Sequence, residues 1–127
     1  MTMETLLSQY MPSENAVKNV GEFFAVFSHE TRIRILIMLS VSELNVNDIS
    51  RALQLNQSTI SHQLRILKDR KIVTSTRKGK EKYYAIANDY INEVLFSAVK
   101  ATAENEKSLS EKVTEQQLFN ELSFNLG

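Results

Sequence analysis

Apolar residues recur at three- and four-residue spacing over most of this 127-residue chain, and they predict a run of amphipathic helices. Pro12 and Ser13 open the first, with Glu14 in its first turn, where the helix dipole favours an acid. Val17, Val20, Phe24 and Phe27 form its stripe, with Phe23 alongside. A second helix is capped near Ser28 and runs through Ile33, Leu36, Ile37 and Leu39 as the centre of the core. Two shorter helices follow. Asn45, with Asp48 three residues on, caps one whose apolar side is Ile49 and Leu53. Gln54, Leu55 and Asn56 make a short turn, and Asn56 caps the next helix. That helix buries Ile60, Leu64 and Leu67, leaving Gln57, Ser58, Thr59, Ser61, His62 and Arg65 on its other faces. The period then changes. Ile72 to Arg77 is rich in β-branched residues, Lys78-Gly79-Lys80 is a turn, and Glu81 to Ile86 contains Tyr83 and Tyr84, so a β-hairpin is predicted. A helix resumes from Asn88 with Ile91, Val94, Leu95, Ala98 and Val99.

Residues 1–11 show no clear period and read as a loose arm. The stretch from Ala103 to Gly127 is acidic and polar but retains Leu109, Val113, Leu118, Phe119 and Leu122, which suits another helix or a partly ordered tail. The expected organisation is an arm over 1–12, one domain over 13–105 and a C-terminal extension over 106–127. The fold class is mainly α with a small β-hairpin, in about five or six helices. The 3 glycines and 1 proline favour it over a many-stranded barrel or sandwich.

Composition narrows the function. The hydrophobic fraction of 43% and charged fraction of 24% belong to a globular protein. With no cysteine there is no disulfide framework, thiolate metal site or thiol redox switch. The N-terminus lacks the basic start and apolar run of a secretory signal, and the longest apolar run, Ile35 to Leu39, is far short of the ~18 residues of a membrane span. A cytoplasmic location without membrane contact is expected. The net charge is zero but segregated: between Arg51 and Lys82 nine basic residues face two acids, a net +7 against −7 for the remainder. Phosphate backbones are the commonest target of such a positive face.

Two short helices joined by about three residues and followed at once by a basic hairpin form a winged helix-turn-helix. The second helix suits a major groove, because its apolar stripe faces its own domain and its polar residues face out. Ser58, Thr59 and Ser61 are short enough to permit close approach, while Gln57, His62 and Arg65 reach bases or backbone. Lys68 extends the basic side, and Arg77, Lys78, Lys80 and Lys82 on the hairpin reach phosphates or the minor groove.

The segments FAVFSHETRIRILIML, ELNVNDISRALQLNQSTISHQLRILKDRKIV and TRKGKEKYYAI, in that order, resemble the ArsR/SmtB family of bacterial and archaeal repressors over about residues 16–105. The resemblance implies a homodimer whose first and last domain helices pair. It also implies two recognition helices about one DNA turn (~34 Å) apart on a palindromic operator of double-stranded DNA. Val17, Val20, Phe23, Phe24, Ile91, Val94, Leu95, Ala98 and Val99 suit that dimer interface, although such residues also fill a monomer core. Many members carry Cys-Val-Cys within ELCVCDL. The matching stretch here is Glu43-Leu44-Asn45-Val46-Asn47-Asp48-Ile49, with neutral amides that are poor ligands for soft metals. Other members bind zinc or nickel on the last helix, where the matching positions are Asn88, Tyr90, Ala101 and Glu104, a single candidate ligand. His29 reads as a capping or surface residue and His62 as a DNA contact or local packing. No resident metal or other cofactor is expected, and the signal is left open among a hard cation, a small organic ligand, a partner protein and nothing beyond protein concentration. The turn departs as well: Gln54 stands where such motifs often have glycine, which bears on the backbone of the turn.

The leading expectation is therefore a sequence-specific DNA-binding transcriptional regulator, a repressor by family. The alternative is a winged helix repurposed as a protein-interaction module, which the net +7 stretch disfavours because protein interfaces dilute charge at their centre. Catalysis is not expected: no nucleophile–base pair, phosphate-binding glycine loop or carboxylate cluster with a partnering histidine is present.

Overall fold

A computed structural model of the chain describes the backbone of residues 1–126 and the side chains of residues 1–107, 117 and 120. The chain divides into two compact units, Met1–Ala87 and Asn88–Gly127.

The first unit opens with α1 (Met3–Tyr10), a departure from the expected loose arm. Thr2 caps it, its Oγ1 accepting from the Thr5 N–H at 3.1 Å. Met3, Leu6, Leu7 and Tyr10 do recur at helical spacing, yet none of the helix is buried. Helix α2 (Glu14–Val26) begins at Ser13, whose Oγ accepts from the Ala16 N–H at 3.1 Å. Helix α3 (Glu30–Val41) starts after His29, which makes no side-chain cap bond. The expected cap, Ser28, instead closes the turn after α2 by donating to the Ala25 carbonyl at 2.6 Å.

Strand β1 (Leu44–Asn45) leads directly into α4 (Val46–Leu53), and α5 (Gln57–Asp69) follows after a three-residue turn. Gln54 holds the left-handed backbone, φ 56°, that ends α4. Strands β2 (Val73–Lys78) and β3 (Glu81–Ile86) form the hairpin around Gly79, whose φ of +66° suits a residue without Cβ. The sheet is antiparallel in the order β1-β3-β2, with Leu44 opposite Tyr84, Asn45 opposite Tyr83, and Lys78 opposite Glu81. The sequence patterns gave the hairpin but not its third strand, since two residues are too short to show a period.

The core lies among α3, α4, α5 and the hairpin. Ile35, Leu36, Ile49, Ile60, Leu64 and Leu67 are fully buried, and Val73 nearly so. Each aliphatic side chain removed from water in this way stabilises the fold by about 1.5–3 kcal/mol. Because Ile60, Leu64 and Leu67 all come from α5, that helix is fixed about its own axis, and its opposite side must face outward.

The second unit is one helix, α6 (Asp89–Leu126), with Asn88 Oδ1 accepting from the Ile91 N–H at 3.2 Å. The backbone continues through the residues expected as a separate helix or tail. The side chains of Leu109, Val113, Leu118, Phe119 and Leu122 lie outside the described residues. Among the described residues, no helix is long and apolar enough to cross a membrane.

Candidate nucleic-acid interface

The start of α5 is organised by one amide oxygen. Asn56 Oδ1 accepts from the Thr59 N–H at 2.8 Å, from Thr59 Oγ1 at 2.7 Å and from Ser58 Oγ at 2.9 Å. Those two hydroxyl protons therefore serve the cap, and Ser58 and Thr59 turn only acceptor lone pairs outward. Gln57, Ser58, Ser61, His62, Arg65 and Lys68 are exposed, whereas Thr59 is half-buried. Ser58, Ser61, His62 and Arg65 line one shallow depression of about 250 Å³. On the inner side, Arg32 Nε of α3 donates to Gln63 Oε1 at 2.8 Å and ties α5 to the core.

The hairpin carries Arg77, Lys78, Lys80 and Lys82, all exposed. Lys78 Nζ donates to Glu43 Oε2 at 2.6 Å and lies 5.3 Å from the centre of the Tyr83 ring. The hydrogen bond to Glu43, reinforced by its charge, raises the Lys78 ammonium above the ordinary lysine value. Among the described residues, Arg65, Lys68, Arg77, Lys80 and Lys82 make no ion pair, so most of the cationic surface is uncommitted. A cleft of about 160 Å³ is lined by Asn45, Val46, Asn47, Gln57, Glu81 and Lys82. It brings the starts of α4, α5 and β3 together, so the outward helix and the basic hairpin adjoin. That arrangement is a winged helix-turn-helix.

Residues 29–75 match the family described as bacterial regulatory protein, arsR family. Over 108 residues the chain is 37% identical to the HTH-type transcriptional regulator Rv0081 of Mycobacterium tuberculosis, covering 81% of this chain and 89% of that protein. The chain belongs to the ArsR family. The crystal structure of Rv0081 is similar to it with a TM-score of 0.68 at 34% identity, over 80% of this chain and 99% of that one. A transcriptional repressor SmtB homolog of Synechocystis is 33% identical over 79 residues, which are 62% of this chain and 60% of the relative's length. The homodimeric winged helix-turn-helix DNA-binding domain of Mb0332 from Mycobacterium bovis is similar with a TM-score of 0.65 at 26% identity, over 74% of this chain and 89% of that one.

In this ArsR-family chain the residues expected at a dimer interface divide by exposure. On α2, Val17, Val20 and Phe24 are 47%, 54% and 55% exposed, large values for apolar side chains, while Phe23 is half-buried between Phe24 and Phe27. On α6, Ala98 and Val99 are exposed and Val94 is half-buried. Ile91 and Leu95 are buried, each 3% exposed. Among the described residues no group of three His, Cys, Asp or Glu side chains could hold a metal ion. Three residues at this interface lay outside the expected contact set. Glu43 holds Lys78, Asn45 holds Glu81 and Asn47 holds Gln57. Asn45 was visible in the sequence as a cap, but its tie to the hairpin depends on the β1–β3 pairing.

Proposed function

We propose that this ArsR-family protein acts in the cytosol as a homodimeric repressor that binds a palindromic operator and occludes a promoter. The observation that carries the reading is the outward side of α5, where Ser61, His62 and Arg65 share one depression and neither Arg65 nor Lys68 has an ion-pair partner among the described residues. Ser61, His62 and Arg65 read base edges in the major groove, with Gln57 at its margin. The lone pairs of Ser58 and Thr59 suit base amino groups, since phosphates need donors. Lys68 and the wing cations Arg77, Lys78, Lys80 and Lys82 neutralise phosphates beside the groove. Residues 13–105 carry both DNA binding and dimerisation. Any effector acts without thiol chemistry, because the chain has no cysteine.

The test is selection of sites from a random duplex pool, followed by fluorescence anisotropy at two salt concentrations. An inverted repeat with half-sites one turn apart is the expected product. Arg65→Ala should weaken binding to that repeat by about 1–3 kcal/mol and relax preference at one position. Recovery of no preferred sequence, with no binding at low salt, refutes the proposal.

A further inference from the structure

Asn45 is 8% exposed, and its N–H and both polar atoms of its side chain have partners. Its N–H donates to Asp48 Oδ2 at 3.5 Å, and its Oδ1 accepts from the Asp48 N–H at 2.8 Å, completing the capping box of α4. Its remaining donor, Nδ2, points away from α4 and donates to Glu81 Oε2 at 2.5 Å. Glu81 is the first residue of β3 and pairs with Lys78 across the wing turn. One side chain thus joins the start of α4 to the base of the wing. Two residues on, Asn47 Oδ1 accepts from Nε2 of Gln57, the first residue of α5, at 3.2 Å. The same cleft collects Asn45, Asn47, Gln57 and Glu81. Neither tie is needed to form a helix: the cap of α4 uses the other end of the Asn45 amide, and α5 is capped by Asn56.

We propose that Asn45 and Asn47 are positioning residues for DNA binding, which through Glu81 and Gln57 hold the wing and the recognition helix in one fixed relation. The proposal rests on the DNA-binding reading above. Its physical basis is preorganisation. A wing and a helix that must meet the same duplex lose less freedom on binding when their spacing is already set. The Asn45–Glu81 bond is the stronger tie, because its acceptor is a carboxylate and its donor is buried.

Aspartate substitutions separate this role from bulk charge. Asn45→Asp keeps an N-cap oxygen but replaces the Nδ2 donor with a second oxygen against the Glu81 carboxylate. Asn47→Asp adds the same charge two residues away and keeps the acceptor that Gln57 uses. Glu81→Gln restores the net charge of either variant, but restores a donor only opposite Asn45→Asp. Affinities for the best duplex from the random pool are the readout, with circular dichroism confirming each fold. Asn45→Asp should weaken binding about tenfold more than Asn47→Asp, and adding Glu81→Gln should return it to within about threefold of the parent. Asn47→Ala, which frees Gln57 without changing charge, should weaken binding by about threefold and leave the salt slope unchanged. Amide hydrogen exchange in β3 should accelerate in Asn45→Asp and recover in the double variant. Equal losses in the two aspartate variants, equally restored by Glu81→Gln, overturn the proposal. So does undiminished binding by Asn47→Ala. If the parent protein binds no DNA, the regulator reading fails, and exchange in β3 still decides whether the tie exists.

Discussion

Lys78 differs from the other wing cations because it already has a carboxylate partner. A phosphate that approaches the wing must displace Glu43, whereas Arg77, Lys80 and Lys82 have no ion pair to give up among the described residues. Glu43→Gln removes that competition without touching the core, since both side chains are about half exposed. Operator affinity should rise about two- to fivefold at low salt, and the slope of log affinity against log salt should steepen by up to about 0.9. Lys78→Ala should make the slope shallower by a similar amount. Anisotropy titrations across a salt series read both, and an unchanged slope in Lys78→Ala would remove this residue from the phosphate contacts. The pH dependence follows from the direction of the shift. A lysine raised by its partner contributes stability below its unfolded value of about 10.4, and that contribution disappears as pH climbs through the raised folded value. The pair is therefore constant over about pH 6–8, and no change in affinity there can come from it. The sequence marks Lys78 as a wing cation but does not show its partner. Glu43 lies 35 residues earlier, and only the two-residue strand β1 brings it near.

Helix α4, its turn and helix α5 show which elements a sequence exposes most readily. Asn45, Asp48 and Asn56 act within three residues of themselves, and Ile60, Leu64 and Leu67 mark one side of a single helix, so caps and outward side were legible together. Where such local determinants are missing, the sequence shows no pattern. Helix α1 has no buried stripe, and α6 runs on past its last described buried position, Leu95, with no break for a pattern to mark. The wing's attachment to α4 was illegible for the same reason as that of Lys78. The turn residue Gln54, like Lys71 after α5, carries a local conflict. Its φ of 56° is a left-handed conformation that disfavours a side chain by about 1–2 kcal/mol, partly offset in a glycine by its larger unfolded entropy. Gln54→Gly should therefore stabilise the domain by about 0.5–1 kcal/mol, seen as a higher urea midpoint at unchanged m-value. The side chain is exposed, so no packing is lost to oppose the gain. A lower midpoint would mean that this side chain makes up for its own backbone strain.

At the scale of the whole molecule, the excess charge of the 51–82 stretch accounts for attraction to a duplex but not for a long operator. One recognition helix reads a single half-site, and the second half-site requires a second copy. The exposed apolar side of α2 offers the simplest handle on that pairing. Val20 and Phe24 lie one turn apart and are more than half exposed, while Val26 on the same helix is 4% exposed and anchors it to the core. The double substitution Val20→Glu with Phe24→Glu therefore places like charges across a twofold interface and leaves the fold intact. Light scattering should show a monomer where the parent is a dimer. Linking two binding events raises affinity by about a hundredfold or more without any new contact, so the variant should lose about that factor on the two-half-site duplex. On a duplex holding one half-site, where the partner copy adds nothing, the loss should stay below about threefold after the added negative charge is screened with salt. The contrast between the two duplexes assigns the defect to pairing and not to the reading helix. Equal losses on both would place α2 on the DNA side, and a persistent dimer would move the interface to the exposed residues of α6.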